Sequence, residues 1–257
     1  ASDIYEKVLG KDHPSTAASY NNIGIVYSNI GEYSKALEFY TKALKIREKV
    51  LSKDHPDTAI NYGSIGFAYN SLGDYPKALE FLTKALNIQE KVLGKDHPST
   101  VATYNNIGGT YSIMGNYPKA LEFYTKALST REKVLGKDHP DTASSYNNIG
   151  SVYQYMGDYP KALEFYTESL KIVEKVLGKD HPNTASSYNN IGSVYEYMGD
   201  YPKALEFYIK ALSIREKVLG KDHPDTVTSY NNIGQVYSIM GDYSEGYSYS
   251  KKAYYAF

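Results

Sequence analysis

Apolar and small residues recur along the chain at intervals of three and four, and nowhere do they alternate strictly with polar ones. In the first stretch they fall at Ala17, Tyr20, Ile23, Gly24, Tyr27 and Ile30, the spacing of one face of an amphipathic helix. Pro14 suits the first turn, where its missing N–H is not needed. Asp12 or His13 is the expected N-cap, and Gly31 suits the C-terminal end. A second helix begins near Tyr33. It carries Ala36, Leu37, Tyr40, Ala43, Leu44, Val50 and Leu51, while Phe39, Ile46 and Val50 add a second apolar line. Two apolar lines suit a helix buried on two sides, between stacked neighbours. Glu38 and Lys42 form an i,i+4 pair worth a few tenths of a kcal/mol. The remaining lysines, with Glu38 and Glu48, read as a solvated face.

This helix pair is copied. His-Pro occurs at His13, His55, His97, His139, His181 and His223, a constant step of 42 residues. The copies at 139–180 and 181–222 differ at seven positions. A period of this length indicates an array, so residue count measures copy number rather than domain number. The expected organisation is one solenoid over 1–257, with repeats 13–54, 55–96, 97–138, 139–180, 181–222 and a degraded 223–257. Residues 1–12 supply the end of a preceding helix and its connector. Four copies add a proline to the second helix, at Pro76, Pro118, Pro160 and Pro202. Without two-residue alternation, a propeller or β-helix does not fit.

The ends depart from the pattern. Ala1 to Leu9 align with Ala43 to Leu51, so the chain opens inside a second helix, leaving Ile4, Val8 and Leu9 to cover the first complete pair. That reads as a fragment of a longer array, with an incomplete helix through which copies could associate end to end. Gly246, Ser248, Ser250, Lys251 and Lys252 replace larger or apolar residues near the other end, as in a polar capping helix, with Tyr254, Tyr255 and Phe257 only partly in keeping.

Composition narrows the chemistry. With 42% apolar and 22% charged residues in 257, neither disorder nor a membrane protein fits. No apolar run approaches the ~18 residues of a membrane span. A net charge of −1 does not suit a nucleic-acid binder, and most tyrosines lie on the packing positions rather than on a stacking platform. Cys is absent, which removes thiol catalysis, disulfides and thiolate metal sites together, and fits an intracellular, cytoplasmic location. All six histidines lie in His-Pro, one per repeat. Stacked helix layers are ~8–10 Å apart, too far for these histidines to share an ion bound at ~2 Å, so a capping role is expected and no metal. There is no Gly-x-Ser-x-Gly and no phosphate-loop spacing. No cofactor and no enzymatic activity are expected.

Tyr20, Ile23, Gly24, Tyr27, Ala36, Tyr40 and Ala43 are spaced like the signature of the tetratricopeptide repeat. The 42-residue period, Asn21-Asn22-Ile23 and the stretch Glu90 to Pro98 resemble the kinesin light chain and nephrocystin-3-like subtype. The usual 34-residue repeat and its closing proline are departed from, and the extra length falls in the second helix. No heptad seam is present to join a motor. The resemblance implies an all-α fold, a right-handed α-solenoid (superhelix) of stacked antiparallel helix pairs. It also implies a protein-interaction role, with first helices lining a concave groove.

On the first helix the stripe opposite the packing positions is Ala18, Asn22, Ile25 and Asn29. Its equivalents vary from copy to copy, including Phe67, Tyr155, Tyr197 and Gln235. One place is nearly constant: Asn22, Asn106, Asn148, Asn190 and Asn232, with Ser64 as the exception. A carboxamide both donates and accepts, so it can pair with any peptide backbone. Similar asparagine ladders hold extended peptides in O-linked N-acetylglucosamine transferase. These nine residues are the expected contacts for a peptide or partner protein. The competing reading has the asparagines bonding neighbouring helices or water, in a spacer or self-stacking rod with no ligand. The stripes carry no Lys or Arg, so the groove reads as neutral, with Glu196 flanking it as Gln154 does in the preceding copy, and no carboxylate clamp is expected.

Overall fold

The computed structural model describes residues 7–256, and every regular element among them is helical. The first helices of successive repeats are α1 (Pro14–Asn29), α3 (Pro56–Ser71), α5 (Pro98–Ile113), α7 (Pro140–Tyr155), α9 (Pro182–Tyr197) and α11 (Pro224–Ile239). Their partners are α2 (Tyr33–Val50), α4 (Tyr75–Val92), α6 (Tyr117–Val134), α8 (Tyr159–Leu177), α10 (Tyr201–Val218) and α12 (Tyr243–Tyr255). The chain forms two compact units, residues 1–130 and 131–257. In the first, α1 to α4 pack each on the next, α4 meets α5, and α1 and α5 each touch α3. In the second, α7 to α12 pack in the same sequence.

The start of each first helix is fixed by histidine. His181 Nδ1 accepts from Asn183 N at 3.1 Å, and the other five histidines cap their helices in the same way at 3.1–3.2 Å. Because Nδ1 accepts, the ring proton belongs on Nε2. The expected choice between Asp12 and His13 thus falls on His13. The connector ahead of each cap is held by a buried threonine: Thr184 Oγ1 donates to Gly178 O at 2.7 Å, where Gly178 has φ +95°. In the one connector where Ser52 replaces this glycine, the bond from Thr58 lengthens to 3.5 Å.

Within a repeat the two helices approach closely at one glycine. A Cβ on Gly150 would lie 2.8 Å from the Tyr166 ring. On the other flank Phe165 meets Tyr153 in a stacked geometry at 5.5 Å and Tyr146 at 6.0 Å. The same aromatic trio recurs as Tyr188, Phe207 and Tyr195, with the Lys210 ammonium 4.9 Å from the Phe207 ring centre. These contacts account for most of the tyrosine surplus.

Successive repeats are joined by polar contacts. Tyr62 donates its hydroxyl to Glu48 at 2.6 Å and Tyr146 to Glu132 at 2.5 Å, and Tyr104, Tyr188 and Tyr230 meet Glu90, Glu174 and Glu216. Glu48 is exposed, in keeping with its place on the solvated face, and from there its carboxylate also accepts the hydroxyl of the next repeat. A buried arginine adds a second link: Arg215 Nη1 donates to Asp225 O at 3.0 Å and Ser229 Oγ at 2.7 Å. Arg47 does the same toward Asp57 O and Asn61 Oδ1. Burial pulls both guanidinium groups below the ordinary arginine value, partly offset by the neighbouring aspartate. The expected Glu38–Lys42 pair does not form, the Lys42 ammonium lying 4.9 Å from the Phe39 ring centre instead, but its equivalents appear at Glu80–Lys84, Glu122–Lys126 and Glu206–Lys210.

Two further expectations change. Val50 is exposed, as are Val92, Val134, Val176 and Val218 at the same place, because the last turn of the second helix runs past its neighbours. Val8, at the equivalent position, is 72% exposed and with Leu9 covers little of the first pair, while Ile4 lies outside the described residues. At the other end, Tyr247 and Tyr254 occupy the places of the buried Leu205 and Leu212 and are at least 70% exposed. That face of α12 is aromatic rather than polar. Phe257 lies outside the described residues.

Candidate functional site

The stripe singled out on the first helices faces solvent. In the first unit Asn22 and Asn106 are exposed, and Phe67 meets the edge of Tyr33 at 6.4 Å. In the second unit Asn148, Asn190 and Asn232 are half-buried, and Tyr155 and Tyr197 are about two-thirds exposed. Tyr197 stacks on Tyr159 of α8 at 6.3 Å. Asn232 Nδ2 donates to Asn189 Oδ1 of the preceding repeat at 3.0 Å. At this rung, then, one amide hydrogen of the ladder bonds a neighbouring helix.

Three helices of the second unit line an open recess. A volume of about 460 Å³ opens between α9, α10 and α11. Ser193, Tyr197, Asn232, Gln235 and Ile239 reach it from the first-helix stripes. The structure thus brings Tyr197, Asn232 and Gln235 to one place. Asn22, Phe67 and Asn106 belong to the first unit, and Asn148, Tyr155 and Asn190 do not line this recess.

The recess has members the stripe did not include. Tyr201 opens α10, Tyr208 rises one face further along it, and Glu196 enters from the flank of α9. Tyr208 donates to Glu196 Oε2 at 2.6 Å, and Gln235 Nε2 donates to Glu196 Oε1 at 3.2 Å. Burial raises the Tyr208 phenol well above its ordinary value, and the bonded carboxylate raises it further. The expectation of a neutral groove is corrected here: the tyrosine beneath α9 draws Glu196 inward, so a carboxylate lines the recess. One repeat earlier Gln154 takes the same role. It accepts from Tyr166 at 3.0 Å and donates to Ser193 Oγ at 3.0 Å, while burial pushes Tyr166 up to about 12. The sequence signal for this pair was the Gln154/Glu196 difference between two nearly identical copies.

A second recess, of about 300 Å³, lies between α7, α8 and α9 and is lined by Ser144, Asn147 and Ser186 among others. Asn147 Oδ1 is buried with no hydrogen-bond partner among the described residues. Each described histidine is a helix cap rather than a member of either recess. No described helix is long and apolar enough to cross a membrane.

Comparison with known proteins agrees with this geometry. A family model described as tetratricopeptide repeat matches residues 1–49, 30–91, 57–133, 99–175, 141–217 and 186–254. No curated protein matches the sequence. Among solved structures, nearly identical TPR-like repeats assigned to a kinesin light chain of Podosopora anserina align at 26% identity. They cover 80% of this chain and 97% of theirs, with a TM-score of 0.71. A single-substitution variant of those repeats aligns at 25% identity, 80% and 98% coverage and a TM-score of 0.72. BtubC (BKLC) of P. vanneervenii shares the fold at 22% identity, 88% and 89% coverage and a TM-score of 0.69.

Proposed function

The chain belongs to the tetratricopeptide repeat family, and from that premise we propose that it is a non-enzymatic protein-interaction scaffold. It would hold an extended peptide or a partner segment along the groove lined by its first helices. The observation that carries this reading is the contrast between two faces of one helix. Packing positions such as Gly150 and Gly192 recur unchanged, whereas the solvent-facing stripe varies around a near-constant asparagine. The unpartnered Asn147 Oδ1 supports it, since a buried acceptor gains from a backbone N–H supplied by a ligand.

The test is peptide capture. A displayed peptide library should yield binders to the intact chain, and Asn148→Ala with Asn190→Ala should weaken them by about tenfold or more, the worth of one or two lost hydrogen bonds. Unchanged binding by the double variant would reject the groove. A second reading, a self-stacking rod, is favoured by the exposed aromatic face of α12 at Tyr247 and Tyr254. Light scattering across concentration separates it: a molar mass that stays monomeric counts against self-stacking.

A further inference from the structure

We propose that the recess around Glu196 takes the cationic side chain, lysine or arginine, of the peptide bound in the groove. This rests on the groove reading and adds a partner chemistry to it. A carboxylate offers about four lone-pair sites, and here two are engaged, by Tyr208 and Gln235. Those two bonds fix the carboxylate in the recess and leave acceptor positions for a ligand. No lysine, arginine or histidine lines the recess, so the charge lacks a counter-cation there, and a partly buried charge gains most from one. The rings of Tyr197 and Tyr201 line the same space and offer π-faces to an ammonium or guanidinium group.

The site also resolves a geometric ambiguity. A groove built from near-identical rungs lets an extended peptide shift by one repeat with little change in backbone bonding. At the position of Glu196 the other copies carry Ser28, Asn70, Ser112, Gln154 and Ser238, all neutral. One carboxylate among them marks a single rung, so a basic residue on the ligand fixes the register.

The experiment uses the intact chain and a phage-displayed library of random decapeptides, selected in parallel on the protein as it is and on Glu196→Gln. Glutamine is suitable because Gln154 already accepts from Tyr166 in the equivalent arrangement, and circular dichroism melts verify that the variant folds. Binders to the unaltered protein should share a lysine or arginine at one fixed position. Replacing it by norleucine or citrulline should weaken binding about tenfold in fluorescence anisotropy, in line with the loss of a charge-assisted hydrogen bond. The same replacement should leave the affinity for Glu196→Gln unchanged. Binders without a shared basic residue, or a replacement that weakens both proteins equally, would overturn the cationic site and leave the groove standing. A selection giving no binder sensitive to Asn148→Ala with Asn190→Ala would overturn both.

Discussion

The hydroxyl of Tyr62 lies 2.6 Å from Glu48, fourteen residues back on the preceding second helix. Burial, then the hydrogen bond to that carboxylate and its charge, push this phenol from 10.0 up to about 12, and Tyr188 beside Glu174 likewise. The neutral phenol is the bonded form and its folded value is the higher one. Its contribution is therefore complete below about pH 10 and is lost as pH rises toward 12. Urea midpoints measured from pH 9 to 12 should fall across that window. In Tyr62→Phe with Tyr188→Phe the fall should be shallower, from a starting point lower by ~0.5–1.5 kcal/mol per bond. Parallel curves for the two proteins would contradict the link.

Gly150 and Gly63 should respond to alanine with opposite signs. At Gly150 the added methyl meets the Tyr166 ring at 2.8 Å, whereas at Gly63, in the interior of α3, nothing lies within 4 Å. Gly150→Ala should cost ~1–3 kcal/mol through overpacking, and Gly63→Ala should stabilise by ~0.5–1 kcal/mol through helix propensity. Chemical denaturation of the two variants measures both signs.

The histidine caps make a prediction specific to atom type. His181→Ala removes the acceptor for Asn183 N and should cost ~0.5–2 kcal/mol, while His181→Asn or His181→Ser keeps an oxygen at the N-cap and should cost much less. Thermal melts of the three variants test it. Equal losses would mean that the imidazole acts through packing instead.

Arg215 ties α10 to the start of α11, yet Val173 stands at the same place one repeat earlier. There Ser187 bonds Asn183 O on its own helix. Ser229 already bonds Asp225 O at 3.3 Å, so loss of the guanidinium does not strand it. Arg215→Val should therefore cost under ~1 kcal/mol, and Arg215→Ala, which leaves a void, ~2–3 kcal/mol. A valine variant as unstable as the alanine one would assign the stabilisation to charge rather than volume.

Periodicity made the helices, their caps and the Gly24-type contact legible before any coordinates, because each rests on apolar spacing or on backbone chemistry peculiar to Pro, Gly and a capping residue. Constant polar residues were harder to read. Glu48 recurs as a solvated residue would, and nothing in one repeat reveals that it reaches, as Arg47 also does, fourteen residues forward to the next. Thr16, buried against Gly10 O, gave no signal for the same reason. Val50 misled in the other direction, since an apolar residue at a helix end looks like core until the neighbour's reach is known. Glu196 stood one residue off the groove stripe, and its place in the recess depends on Tyr208, a second-helix residue outside the first-helix pattern.

The fourteen-residue span of the tyrosine–glutamate bond has a consequence for how such a chain can change length. Excising residues 181–222 would put Glu174 fourteen positions before Tyr230, the spacing that each now has with its present partner. The cap, the connector threonine and the second-helix glutamate would all find equivalent mates across the new junction. A deletion or duplication of 42 codons therefore keeps these three contacts, and copy number can drift without breaking them.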